Sequence, residues 1–357
     1  MQDVVWAEIS TAALQNNFDF CKGLVSDAKV ITVIKANGYG HGAYTIAKTL
    51  HESDYFAVAR LSEALMLREQ NVEQPIIVLS GILDAQDLQL CRQNNIDAVL
   101  HSTEICQLLA LEKDTKTLNV WLKVDTGMHR LGIFPDDLAR ALSSLENNTS
   151  IHCHGLISHF SSADELGSSH NDKQKFQLEA VLKKHKVNAI SFANSAALIH
   201  HHDAHYDYIR PGIMIYGVNP SADQLLGGKL KAVMTLKAKI LNIRQIPVGD
   251  TVGYNGKWQA EKESCIATIA IGYADGYPRH AENGTPVLIN GSYYPLAGRV
   301  SMDLITVDIS DADNIAIGDE AILWGEGLPV ERIAQCSGTI AYQLLTAVSE
   351  RVPRRVF

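Results

Sequence analysis

From residue 30 to about 212, short apolar and β-branched runs alternate with longer stretches in which apolar positions recur every third or fourth residue. The runs are KVITVIK (29–35), YFAVAR (55–60), PIIVLS (75–80), DAVL (97–100), LNVWLKVD (118–125), IHCHGLISHF (151–160), AISFANS (189–195) and YDYIRPG (206–212). Most gaps between them are long enough for one helix, as in LSEALMLREQN after the second run and STEICQLLALE after the fourth. Eight such βα units predict an α/β fold whose N-terminal part is a closed (β/α)8 barrel. A doubly wound open sheet is the rival, and the lack of a G-x-G-x-x-G opening its first helix counts against it. Both layouts gather chemistry at the C-terminal ends of strands, where Lys35, Asp125, His159, Ser195 and Arg210 all fall.

The periodicity changes near residue 231. LKAKILNIRQIPVGDTVGYNGKW, CIATIAIGYADGYPR, GTPVLINGSYYPLAGRVSMDLITVDIS and GDEAILWG read as strands, separated by Gly, Pro, Asn and Asp turns. Two domains are predicted: the barrel over 1–230 and a C-terminal, mainly-β domain over 231–357. The early VVWAEIS is a strand that either domain could own.

Composition narrows the function classes. A hydrophobic fraction of 46% and a charged fraction of 20% belong to an ordinary globular protein. The formal net charge of −9 is spread along the chain, and no Lys/Arg cluster suggests a nucleic-acid footprint. The start, MQDVVWAEIS, lacks the basic and apolar regions of a secretory signal, and no apolar run reaches membrane-spanning length. Six scattered cysteines without a C-x-x-C pair read as reduced thiols, so a cytoplasmic protein is expected.

The first apolar run ends in VIKANGYGHG, which presents Lys35 to three glycines in five positions. A strand-end lysine usually lets its stem pack and its ammonium reach water. With part of its hydration removed, the same amine forms a Schiff base with a carbonyl compound. The glycines favour the second use, because they allow positive φ and a close backbone approach to a ligand.

VIKANGYGHG closely resembles the cofactor-lysine signature of the alanine racemase family, fold-type III pyridoxal-phosphate enzymes of bacterial cell-wall metabolism. LKVDTGMHRLG (122–132), GLISHFSSAD (155–164), FANSAA (192–197) and IRPGIMIYG (209–217) resemble that family's blocks in the same order. So do VGYNGKW (252–258), IGYADGYPR (271–279), AGRVSMDLITVD (297–308) and GTIAY (338–342). The resemblance implies that Lys35 holds pyridoxal 5'-phosphate and, once freed, moves the substrate's Cα proton on one face. Tyr254 matches the acid/base on the opposite face, with His159 and Arg210 in a hydrogen-bonded chain behind it. Inversion needs two such groups, one to remove the proton and one to return it to the far side. A tyrosine with an ordinary pKa near 10 is a poor base at pH 7, so neighbours must depress it.

Arg210 also matches the arginine that faces the cofactor's ring nitrogen. Protonating that nitrogen would set two positive charges roughly 3–4 Å apart, at a cost of about 4 kcal/mol at an effective dielectric near 20. Arginine does not yield its proton first. A neutral ring is a weaker electron sink, which favours racemisation over transamination or decarboxylation. The alternative use of Arg210 is a salt bridge to Asp207. The hydroxyls of Tyr39, Ser195 and Tyr342 and the backbone amides of Gly212 and Ile213 match the phosphate site. Arg130 matches the arginine on the cofactor's phenolic oxygen and the substrate carboxylate, and Lys123 matches a lysine that in many members is carbamylated and props that arginine. The Met302 amide matches a substrate-carboxylate donor, with Asp303 beside it. Tyr273, Asp164, Arg279 and Arg299 match the residues of the entrance. The bulk of Tyr254, Tyr273 and Met302 leaves room for a methyl-sized side chain. The family implies a head-to-tail homodimer that makes D-alanine from L-alanine for peptidoglycan.

Other readings are a broader-specificity racemase, an amino-acid decarboxylase, a cofactor carrier and a metal-dependent hydrolase using IHHHDAH (199–205) with His152 and His154. His200 to His205 precede the last barrel strand and so fall on its N-terminal side, away from the catalytic face; no metal is expected. Carriers lack the β domain, and decarboxylases typically set a carboxylate where Arg210 stands.

Overall fold

The computed structural model describes residues 3–111, 115–146, 148–221, 226 and 228–357. Strand β1 (Val5–Ile9) lies outside the barrel. The barrel strands are β2 (Lys29–Val33), β3 (Tyr55–Val58), β4 (Ile76–Val78), β5 (Ile96–Leu100), β6 (Leu118–Lys123), β7 (Ile151–Ile157), β8 (Ile190–Asn194) and β9 (Tyr208–Arg210). Each pairs in parallel with the next, and β9 returns to β2 through Lys29↔Tyr208 and Val30↔Ile209, which closes the ring. Every predicted run overlaps one of these strands, and seven of the eight contain theirs whole, β5 beginning one residue before its run at Ile96. Most of their residues are buried because lumen and helix layer cover both faces, so they read as near-continuous apolar runs.

The lumen is filled by rings from β3, β6, β7 and β9. Tyr55, Trp121 and Tyr208 meet edge to face at 5.3–6.2 Å, and His154 lies 4.5 Å from Trp121. Asp97 of β5 is buried beside them, with Oδ1 accepting from Asn119 at 3.3 Å and Oδ2 unpaired. Burial pushes its carboxyl up to about 6, against the pull of Asn119, Trp121 and Tyr55.

After β2 the backbone turns the wrong way for L-residues. Ala36, Asn37, Gly38 and Tyr39 all lie near φ +51 to +62°. For Ala36 and Tyr39 together this conformation costs on the order of 2–4 kcal/mol. Packing offsets the cost. The Ile34 carbonyl accepts from Gly38 N–H at 2.9 Å, Asn37 Oδ1 accepts from Ala43 N–H at 2.9 Å, and His41 Nδ1 lies 2.9 Å from the Tyr39 carbonyl. Gly40, at φ +81°, sits so close to the Leu345 carbonyl that a Cβ would lie 2.1 Å from its oxygen.

The contact with Leu345 comes from the other domain. Strand β10 (Met234–Ile246) pairs antiparallel with β1, Ser264–Ile269 and Glu320–Trp324. The early strand that the sequence left open therefore belongs to the C-terminal sheet, where Arg354–Val356 flanks its other edge. The helix Ala341–Ala347 rests on the left-handed turn, and Arg354 Nε donates to the Gly40 carbonyl at 3.0 Å. No helix among the described residues is long and apolar enough to cross a membrane.

The raised Asp97 pKa sets the sign of a stability test. The folded chain holds that proton more tightly than the unfolded chain does, so ionisation costs stability above pH 6 and costs nothing below about 3.8. Asp97→Asn is therefore expected to stabilise the protein by up to about 3 kcal/mol at pH 8 and to lose that advantage by pH 4. Urea denaturation at both pH values checks this; a variant less stable at pH 8 contradicts it.

Candidate active site

β2 delivers Lys35 to the barrel rim just where the left-handed turn begins. Its amine is partly buried and makes no hydrogen bond or ion pair with any described residue. Burial lowers its pKa, Arg130 and Arg210 lower it further, and Glu63 opposes them. Lys123, at the end of β6, is brought down to about 8 by burial and by Arg210, Arg130 and Lys35, against Asp125. Four cationic side chains thus share one field.

Asp125 does not cancel them freely, because it builds the loop that carries Arg130. Its Oδ1 accepts from the backbone N–H groups of Gly127, Met128 and His129 at 2.9, 3.0 and 3.1 Å, and its Oδ2 lies 3.2 Å from His129 Nδ1. Arg130 itself is exposed at the end of that loop, with no hydrogen bond or ion pair among the described residues.

Arg210 is buried and held by neutral acceptors. It donates to Ser191 Oγ and the Ser158 carbonyl, each at 2.5 Å, to the Phe192 carbonyl at 3.3 Å, and to His159 Nδ1 at 3.4 Å. Among the described residues no carboxylate pairs with it. Asp207 instead accepts from the Ile190 N–H at 2.8 Å. Burial lowers Arg210 to about 10, so it stays charged at neutral pH. A guanidinium can only donate, so His159 Nδ1 carries the lone pair and its proton sits on Nε2. Burial first, and then Arg210, Lys123, Arg130 and Lys35, hold His159 far below its ordinary range. The imidazole is neutral, with one N–H left to give.

A second group lies on the same rim. Tyr39 stacks on Tyr216 at 4.7 Å and approaches Tyr342 at 6.0 Å. Ser195 Oγ accepts from the Gly212 N–H at 2.8 Å, and Ile213 follows, buried. A Cβ at Gly212 would stand 2.8 Å from Tyr39 Oη, so glycine keeps this corner open. Burial raises the Tyr39 phenol, and burial with Asp164 pushes Tyr342 up to about 12. Both keep their protons at any ordinary pH.

The remaining predicted residues form a separate surface on the β domain. Tyr273 N–H donates to the Ser301 carbonyl and Ala274 N–H to the Met302 carbonyl, at 3.0 and 2.9 Å. The Arg279 guanidinium lies 5.9 Å from the Tyr273 ring, and Asp303 pairs with Arg351 at 2.8 Å. The backbone of Arg299 borders Gly253, next to Tyr254. Tyr254 is 67% exposed and Met302 54%. No hydrogen bond, ion pair or ring contact among the described residues joins Tyr254, Tyr273, Met302 or Asp303 to the barrel group. One chain therefore assembles the amine, the cations and the hydroxyls, and leaves the phenol at the surface. His200 and His205 precede β9, where His200 Nε2 meets Ser221 Oγ at 2.6 Å and His205 Nε2 meets the Leu198 carbonyl at 3.0 Å.

Sequence reasoning did not find Ser158, Ser191 or Glu63. The first two hold Arg210. Glu63 receives the backbone N–H groups of Ala36, Ala59 and Arg60 at 2.6, 2.8 and 2.9 Å. Its place three residues into a helix after a strand is a capping-box position, which was the available signal.

Comparison with known proteins agrees along the whole chain. Residues 9–220 match the alanine racemase N-terminal domain and residues 233–356 the alanine racemase C-terminal domain. An alanine racemase of Aeromonas hydrophila is 43% identical over 97% of both chains, and one of Vibrio parahaemolyticus is 44% identical over 96% of both. The crystal structure of the biosynthetic alanine racemase of Pseudomonas aeruginosa superposes with a TM-score of 0.95 at 40% identity, covering 100% of each chain. Sequence, fold and rim geometry lead to one assignment: the chain belongs to the alanine racemase family.

Proposed function

We propose that this chain interconverts L-alanine and D-alanine with pyridoxal 5'-phosphate on Lys35, supplying D-alanine for peptidoglycan in the cytoplasm. The observation that carries the reading is a partly buried, unpartnered amine set among three further cations, one of them a buried arginine with no carboxylate beside it. Division into a barrel unit over 1–230 and a β unit over 231–357 goes with it, with β1 lent to the β sheet.

The residues present fit that cofactor. A cation-rich rim favours a phosphate, a phenolic oxygen and a substrate carboxylate, each of which supplies negative charge. Tyr39, Ser195, Tyr342 and the amides of Gly212 and Ile213 would hold the phosphate as neutral donors, and the corner left open by Gly212 gives it space. Arg210 is assigned to the ring nitrogen and Arg130 to the phenolic oxygen. When bound, the cofactor supplies an electron sink that acidifies the Cα–H of alanine.

The protein's part is to move one proton between two faces. A lowered pKa leaves Lys35 unprotonated more often than an ordinary lysine, so it can accept the proton on its side. Tyr254 of the partner subunit serves the other side in a head-to-tail homodimer, since within one chain the phenol is exposed and no contact among the described residues joins it to the barrel group. The neutral His159 offers its Nε2–H to that phenol, and Arg210 holds the imidazole in the required tautomer. Arg130 and the backbone amide of Met302 of the partner subunit hold the substrate carboxylate; Tyr273 of the partner subunit and Asp303 of the partner subunit wall the approach. Asp164, Arg279 and Arg299 line the entrance.

Borohydride reduction of purified protein is expected to link one cofactor to the peptide carrying Lys35, and incubation with L-alanine to yield D-alanine. Lys35→Ala should abolish both; linkage surviving that change refutes the assignment. Tyr254→Phe should keep the linkage yet slow racemisation by roughly 10²–10⁴-fold. Activity per chain should fall on dilution before the barrel unfolds, and a fully active monomer would contradict the shared site.

A further inference from the structure

Glu63 lies on a helix that carries none of the residues assigned above. We propose that Glu63 is a positioning residue for Lys35: one carboxylate clamps the start of the left-handed turn to the neighbouring strand end and so fixes where the amine emerges. The inference rests on the assignment of Lys35 as the reactive amine.

The geometry uses both oxygens of the carboxylate. Oε2 accepts from Ala59 N–H at 2.8 Å and Arg60 N–H at 2.9 Å, which closes the first turn of the helix Leu61–Glu69. A helix cap needs no more than that. Oε1 is turned the other way and accepts from Ala36 N–H at 2.6 Å. Ala36 directly follows Lys35 and is the first residue of the strained turn. The remaining anchors grip the turn further along. Asn37 Oδ1 holds Ala43, His41 holds the Tyr39 carbonyl, and Arg354 holds the Gly40 carbonyl. Ile34, before the amine, donates to the Ala57 carbonyl of β3 at 2.8 Å, and among the described residues Glu63 is the side chain that ties Ala36, after the amine, to the same adjoining βα unit.

Three N–H groups aimed at two oxygens define what a replacement must do. A glutamine keeps the length but presents an NH2 to one side, where a backbone N–H already points. An aspartate keeps the charge but is one methylene shorter and reaches one side only. Removing the carboxylate also removes the anion that opposes Arg130 and Arg210 at the Lys35 amine.

The test compares wild type, Glu63→Gln and Glu63→Asp, first without cofactor. Competitive amine labelling across pH, read by mass spectrometry on the Lys35 peptide, reports the pKa and access of this lysine whether or not the protein turns over alanine. Amide hydrogen exchange reports the Ala36 N–H. Glu63→Gln is expected to lower the Lys35 pKa, speed exchange at Ala36 at least about tenfold, and slow borohydride-trapped cofactor linkage. With cofactor, kcat should fall at least about tenfold and KM for alanine change less. Glu63→Asp should show the same faster exchange at Ala36 with a smaller pKa change, and it carries the test if the glutamine variant does not fold. Unchanged labelling, exchange and kcat per folded molecule, with only Tm lowered, would make Glu63 a plain helix cap and overturn the proposal. Failure of wild type to link cofactor at Lys35 would instead overturn the assignment of the amine.

Discussion

Four cations facing one another at one end of a barrel are the constraint on which the site depends. Lys35, Lys123 and Arg210 share a rim where burial weakens the screening that water would give them, and the exposed Arg130 adds its charge to the same field. Two consequences follow. The lysines lose proton affinity, so an amine that would be inert at neutral pH becomes a base and a nucleophile. The rim also demands anions. Its own carboxylates, Glu63 and Asp125, are committed to backbone N–H groups, so the compensation must arrive with ligands. In the proposed function a phosphorylated cofactor and an amino-acid carboxylate would bring it.

The neutral part of the site is as deliberate as the charged part. Arg210 rests on hydroxyl and carbonyl oxygens and on an imidazole nitrogen, none of which neutralises it. Arg210 would hold a bound cofactor's ring nitrogen unprotonated and so weaken its electron sink. Tyr39 and Tyr342, at the proposed phosphate corner, are raised in pKa by burial and remain hydrogen-bond donors. Phosphate held by such donors leaves the cations free for the reacting end.

Much of this was legible in the sequence because of the way parallel barrels bury their strands. Runs such as KVITV and YFAV are covered on both faces, so hydrophobicity alone marked all eight. Lys35, His159 and Arg210 could be placed at strand ends by the same count. The left-handed turn was only half visible: its glycines announced positive φ, whereas Ala36 and Tyr39 adopt it under tertiary pressure. The ownership of β1 was hidden, since VWAEI suits either sheet, and its pairing partner Met234–Ile246 lies over two hundred residues away. Glu63 was hidden because its partners sit on two other segments. The exposure of Tyr254, with no contact among the described residues to the barrel group, could not be read from spacing at all.

Subunit complementation is the most direct test of the central proposal, that amine and phenol reach one carbon from two chains. Lys35→Ala and Tyr254→Phe proteins, each inactive or nearly so, are mixed, dissociated and reassociated. Random exchange puts both wild-type groups into one of the two sites of each mixed dimer, so activity should return to about a quarter of the wild-type value per chain. No recovery, from a mixture shown to have exchanged subunits, would mean that each chain works with its own pair and that the proposed arrangement is wrong.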